Sequence, residues 1–297
     1  MRLPDSISNL LQEPPPAMAF ELSEAGIAMA RMGAKTELGF RPLKPGVLSL
    51  SPLKDNVVMP DELSIAVREM APSNGNRKRR DVALILPDYS TRIAVLDFDS
   101  FPSDPKEQLS LIRFRIRKSV PFDVESAAIS YCVQPAEGKK ADVVVVVAPL
   151  EVVSRYEAPF RAAGMNPGLV TTSSLAALNL VDDSGITVVA KVTGGVLTVM
   201  VLEHNRLKLV RCLEVHAGDI AEIAADLYPT LVYIEDNLGA KAGQLLLCGF
   251  EGRMEAARQQ FHNELGVDVQ PVRSPLMQPG ESNAGLLGYL KSVGHDQ

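Results

Sequence analysis

Apolar positions fall into two blocks with the same internal rhythm. From Met18 the chain reads MAFEL, SEAG, IAMARM, GAKT, ELGFRPL. These are three extended segments separated by turn-forming clusters that contain Gly26 and Gly33, which predicts an antiparallel meander. A helix, ELSIAVREM, follows with Asp61 as its cap, and then a polar loop from Asn74 to Arg80. After Ser184 and Gly185 the pattern returns. ITVVAKV, VLTVMVLE and RLKLVRCLEV form three strands joined at TGG and HN, where Gly194, Gly195 and Asn205 suit positive φ. A helical stretch AGDIAEIAADLY, interrupted at Pro229, leads through TLVYIEDNLG to the strand QLLLCG, the helix EGRMEAARQQFHNELG and VDVQPV. The last helix, SNAGLLGYLKSV, opens at Ser282. Meander, helix, strand and helix thus occur twice, an internal duplication at the level of fold.

The first copy is interrupted. DVALILP and TRIAVLDF lead into a short amphipathic helix, capped by Ser103 or Asp104 and stopped by Pro121, which spans Pro105 to Ser119. Leu109, Ile112, Ile116 and Val120 share one face, and Arg113, Arg115, Arg117 and Lys118 leave the others basic. The strand SAAISYCVQ, a charged turn and DVVVVVAP follow. Val143 to Val147 are apolar on both faces, which predicts a central strand covered on both sides. LEVVSRYEAPFRAAG is a helix ending at Gly164, and Thr172 or Ser173 caps another short one.

Composition bounds the function. Of 297 residues, 46% are hydrophobic and 22% charged, so the chain is globular and long enough for two lobes. A net charge of -6 argues against nonspecific nucleic-acid binding, and the run Arg77, Lys78, Arg79, Arg80 reads as a solvated loop. Cys132, Cys212 and Cys248 are far apart and sit in apolar runs, which fits reduced thiols in the cytoplasm. No apolar run is long enough to cross a bilayer, and MRLPDSISNLLQ lacks a signal-peptide core, so contact with a membrane is expected only through a partner. His204, His216, His262 and His295 are scattered without metal-ligand spacing, and neither GxxxxGK[ST] nor GxSxG occurs. No metal site is expected.

The stretch from Phe101 to Tyr131 carries a resemblance. Arg117, Val120, Pro121, Phe122, Tyr131 and Val133 match a motif of the type IV pilus assembly protein PilM family, with Ser130 where that family has Asp. The likeness continues more weakly from about Met18 onward. It implies an α/β fold of the actin-like (ribonuclease H-like) kind, two-lobed, with an inserted small α/β subdomain as in PilM and its cell-division relative FtsA. The chain then divides into an extended Pro-rich tail at 1–17, a first actin-like lobe at 18–85 and 166–183, the insert at 86–165, and a reduced second lobe at 184–297.

In that fold the first turn of each meander cradles phosphate, and an acid at the end of each first strand positions Mg²⁺. The matching positions here are Glu21, Ser23, Lys191, Gly194, Gly195 and Gly249. Ser23 stands for a glycine, Glu24 adds a negative charge facing a polyanion, Lys191 replaces the metal-positioning acid, and Phe250 would crowd a base pocket. No cofactor is therefore expected, with ATP and Mg²⁺ as the pair an intact site would hold, and no catalytic residue is assigned. The resemblance implies a cytoplasmic scaffold of type IV pilus assembly, or of related type II secretion, peripheral to the inner membrane. It would hold the cytosolic N-terminal tail of a PilN-like membrane protein, which carries an INLLP-like motif, alongside other pilus assembly proteins. Arg113, Arg117, Pro121, Phe122 and Tyr131 are the expected partner-binding residues. The chain's own Ile7, Asn9, Leu10 and Leu11 resemble that tail motif, so a pseudo-ligand or self-association is a second expectation. The alternative function is an active actin-like ATPase or kinase-like enzyme.

Overall fold

The computed structural model describes residues 14–71, 80–134, 140–182, 185–216 and 219–294. The first block is β1 (Met18–Ser23), β2 (Gly26–Arg31), β3 (Glu37–Pro42), α1 (Pro60–Met70) and β4 (Arg80–Leu86). Next come β5 (Arg92–Phe98), α2 (Pro105–Ile116), β6 (Ala127–Gln134), β7 (Ala141–Pro149), α3 (Leu150–Ala162), β8 (Met165–Thr172) and the short α4 (Ser173–Ala177). The last block is β9 (Ile186–Thr193), β10 (Val196–Glu203), β11 (Arg206–Glu214), α5 (Ile220–Leu238), β12 (Gln244–Cys248), α6 (Met254–Leu265), β13 (Asp268–Pro271) and α7 (Ala284–Ser292).

Two five-stranded sheets share one topology, β3-β2-β1-β4-β8 and β11-β10-β9-β12-β13. In each, an antiparallel meander is extended by two parallel strands, so the duplication read from the turns is present strand for strand. The turns work as the sequence implies. Gly194 and Asn205 take positive φ, joined by His204, whereas Gly195 does not.

Between the sheets, α4 and α7 cross and bury a common core with residues of both lobes, including Ala19, Ile85, Val189, Met200 and Leu287. Their backbones approach closely at Gly288, where a Cβ would collide with the carbonyl of Ala176. Only glycine permits that contact.

The insert is a three-stranded sheet, β5-β7-β6, with α2 on one face. Its central strand is β7, as expected, but coverage alternates: Val143, Val145 and Val147 are buried and Val144 and Val146 half-buried. The insert also leans on the second lobe. The Gln134 side chain donates to the Leu207 carbonyl (2.8 Å) and accepts from its N–H (2.7 Å), and Lys208 pairs with Asp142 at 2.7 Å.

Several boundaries differ from expectation. Helix α2 is capped by Asp104 and ends at Ile116 rather than Ser119, because the chain tightens there, with Ser119 and Val120 both donating to the Ile116 carbonyl. That turn brings Val120 into the insert's core before Pro121. Asp61 lies in the first turn of α1, one place after Pro60, and does not cap it. The expected break at Pro229 is absent: α5 runs through it, since Pro229 is exposed and Ile223, Leu227, Thr230 and Ile234 bury a continuous stripe. The last helix begins at Ala284, two residues after Ser282. Largest is the shift in the insert, placed by sequence at 86–165. Val152, Tyr156 and Phe160 of α3 are buried in the first lobe's core, where the Phe160 ring lies 5.0 Å from that of Phe20. Helix α3 therefore belongs to the first lobe, and the insert closes at Pro149.

Candidate functional site

The C-terminal ends of β1, β4 and β9 and the N-terminal ends of α4 and α7 converge on the cleft between the lobes. Glu21 lies two residues before the end of β1 on the same face as Ala19, so its carboxylate lies over the helices rather than in solvent. Ser173 Oγ donates to Glu21 Oε1, and the Leu286 N–H at the start of α7 donates to Oε2 at 2.7 Å. Burial raises the pKa of Glu21, against the charge of Lys191 and these hydrogen bonds.

Lys191, two residues before the end of β9, is buried and is the one charged residue of that strand. Its Nζ lies 3.1 Å from Asp88 Oδ2 and 2.7 Å from Thr193 Oγ1. Burial alone would lower its pKa, but the charges of Asp88 and then Glu21 outweigh that and raise it, so the amine stays protonated. Asp88 begins the 3-10 turn after β4 and has three donors: Lys191, the Ser174 N–H at 2.7 Å and Thr198 Oγ1 at 3.2 Å. Beside them, Cys248 is pushed up to about 12 by burial, so it stays a neutral thiol.

The two turns expected to cradle phosphate make contacts within the chain. The Gly194 N–H donates to Glu281 Oε2 at 3.1 Å, and the Glu281 N–H to Glu251 Oε1 at 2.7 Å. Ser23 Oγ donates to the Gly26 carbonyl and meets Ser282 Oγ at 3.1 Å. A side chain at Gly194 would meet Glu24 Oε2 at 3.3 Å. Gly249 serves backbone packing: its φ is +78°, and a Cβ there would collide with the Val192 carbonyl.

Two cavities open beside these turns. One, about 670 Å³, lies between β2, β3 and the segment leading into α7, with Glu251 and Glu281 in its wall. The other, about 500 Å³, lies between Ser49, Tyr89 and the β9–β10 turn, with Glu24 and Glu214. Among the described residues, neither lining contains a lysine or arginine. A magnesium-bound triphosphate does not fit this arrangement. The Gly194 amide already serves a carboxylate, and acids line both openings.

Glu21, Ser23, Lys191, Gly194, Gly195 and Gly249 lie about one cleft. Lys191 is turned inward onto Asp88 instead of toward a phosphate, and Glu21 has both oxygens engaged. Phe250 packs inside the second lobe against Phe261. Sequence reasoning missed Asp88, Thr198 and Glu281, and read Ser173 and Ser174 only as a helix start. The available signal was the position of Asp88 just past the end of a parallel strand, where open α/β sheets place their polar sites.

The five expected partner-binding residues divide in two. Arg113 and Arg117 lie on one side of α2 with Ser110 and Phe114, beside a cavity of about 270 Å³ that also touches Glu125. Phe114 is 73% exposed. Phe122 and Tyr131 are half-buried against the insert's core instead, with Tyr131 donating to Gln108 Oε1 at 2.8 Å, and Pro121 is exposed. Ile7, Asn9, Leu10 and Leu11 lie outside the described residues.

No protein-family model matches the chain, and no curated protein does. Among solved structures, the "PilM-PilN type IV pilus biogenesis complex" matches with a TM-score of 0.75 at 17% sequence identity, over 96% of this chain and 98% of that one. A Bacteroides thetaiotaomicron protein described as having an actin-like ATPase fold and unknown function matches with a TM-score of 0.57 at 13% identity, over 96% and 99%. The fold of this chain is actin-like.

Proposed function

We propose that this chain is a scaffold of type IV pilus assembly, or of a related type II secretion machine, that works without nucleotide turnover. It holds the cytosolic tail of a PilN-like inner-membrane protein and sits at the cytoplasmic face of that membrane through this contact. The observation that carries the reading is the near end-to-end fold match to a chain solved in a pilus biogenesis complex. The filled cleft supports the non-catalytic part, because its polar groups satisfy one another. No helix among the described residues is long and apolar enough to cross a membrane, in keeping with attachment through a partner.

The insert offers the partner surface. Phe114 is a large exposed apolar group flanked by Arg113 and Arg117, neither of which is in an ion pair among the described residues. An aromatic anchor between two arginines is the composition of an interface centre. The test is calorimetric titration of the full chain with a peptide carrying the INLLP-like motif. Saturable binding, weakened roughly tenfold by Phe114→Asp or Arg117→Glu, is expected. An absence of binding overturns the reading.

A further inference from the structure

The cavity of about 670 Å³ has one apolar wall and one acidic wall. The apolar wall is a sheet edge. Strand β3 pairs with β2 alone, leaving one row of backbone donors and acceptors without a strand partner among the described residues. Leu38 and Phe40 on it are 40% and 51% exposed. Register fixes their side of the sheet: Phe40 is opposite Ala28 and Leu38 opposite Ala30, and both alanines belong to the core shared with α7. Both side chains therefore stand on the cavity side of the edge.

Glu251 and Glu281 make the other wall acidic. Each carboxylate accepts one backbone N–H, Glu251 Oε1 from Glu281 and Glu281 Oε2 from Gly194, so among the described residues the second oxygen of each has no donor. No lysine or arginine among the described residues lines the cavity, and two acids facing one concave space set up a negative potential there. Their position along the edge is fixed as well. Ser282 Oγ meets Ser23 Oγ at 3.1 Å, Ser23 is opposite Gly26, and Gly26 is opposite Pro42. The acidic segment thus lies at the Pro42 end of β3, and Leu38 lies toward the other end. The groove is apolar at one end and anionic at the other.

We propose that β3 and this cavity take an extended segment of a partner protein whose inward side chains are apolar beside Leu38 and Phe40, with a lysine or arginine beside Glu251 and Glu281. Main-chain hydrogen bonds to a sheet edge supply affinity in such additions, and pockets for alternate side chains supply selectivity. Every second residue of the added strand faces α7, so apolar and basic groups two residues apart reach both ends of the groove. The unpaired carboxylates favour a cationic segment and reject an acidic one. This surface is separate from the α2 face proposed for the pilus partner, so either reading can fail alone.

Backbone amide NMR of the full chain tests it with an end-blocked peptide, SVTLTKS, whose valine, leucine and lysine share one face when extended. The control is SVTLTES. The lysine peptide should shift the amides of Leu38 to Arg41 saturably, and the control should bind about tenfold more weakly. Glu281→Gln and Glu251→Gln should each reduce that preference, and either glutamine keeps an oxygen for its backbone donor, so the fold is retained. An absence of shifts at β3, equal affinity for the two peptides, or a preference that survives both substitutions overturns the proposal. So does slow exchange of the outward β3 amides without any peptide binding, because the chain then covers its own edge. Shifts at β3 that follow protein concentration without peptide also overturn it, because the occupant is then a second copy.

Discussion

Lys191 Nζ on the second lobe lies 3.1 Å from Asp88 Oδ2 in the turn that follows β4, and both side chains are removed from water at the floor of the cleft. Where an actin-like fold would hold a metal ion and its phosphates, this chain places its own cation between its own carboxylates. The lobes are joined there by charge as well as by the apolar core around α4 and α7.

Removing that cation should be costly. Lys191→Met leaves Asp88 and Glu21 as buried carboxylates without a counter-charge, which corresponds to a loss of about 3–5 kcal/mol. Urea denaturation at neutral pH measures it. Adding Asp88→Asn to Lys191→Met should recover a substantial part, because the second substitution removes one of the orphaned charges.

The pair also sets an alkaline limit. Lys191 has a folded pKa above its ordinary value of 10.5, so the stability it contributes is complete below pH 10.5 and is lost as pH rises through the higher folded value. Glu21 acts in the same sense on the acid side: its raised folded pKa means that burying its charge costs stability once pH rises above the ordinary 4.5. Stability measured from neutral to strongly alkaline pH should fall more steeply in the natural chain than in the Lys191→Met, Asp88→Asn variant. Parallel curves would assign the alkaline loss to other groups.

At the helix crossing, Gly288→Ala should destabilise by about 1–3 kcal/mol, since the added methyl meets the Ala176 backbone and α4 and α7 must separate. Gly164→Ala is a poor control because φ there is +77°, whereas Gly185→Ala meets nothing within 4 Å at an ordinary φ. Chemical denaturation of the two variants should separate them clearly.

The insert's hold on the second lobe includes one amide side chain beside the Lys208–Asp142 pair. Gln134→Ala removes both hydrogen bonds to Leu207 and should cost about 1 kcal/mol. Hydrogen exchange at Leu207 should accelerate while β9 stays protected.

Much of this architecture was legible in the sequence because turns and strands announce themselves locally. TGG and HN mark the second meander, and the hydrophobic runs on either side fix its three strands. The allegiance of α3 was not legible: its amphipathic pattern suits either core, and only the meeting of Phe160 with Phe20 decides for the first lobe. Pro229 misled for a related reason, since burial on the opposite side of α5 overrides a local breaker. At the cleft, Lys191 stood out as a charge inside an apolar strand, but Asp88 is 103 residues away in PDYS, which reads as a turn. Long-range pairing of that kind leaves no local signature.

Thermal unfolding with and without saturating Mg-ATP tests the central claim most directly, that the cleft is occupied by the chain's own groups. The unfolding temperature should be the same in both. Stabilisation by nucleotide, about 2.7 kcal/mol at 100 times its dissociation constant, would contradict the account.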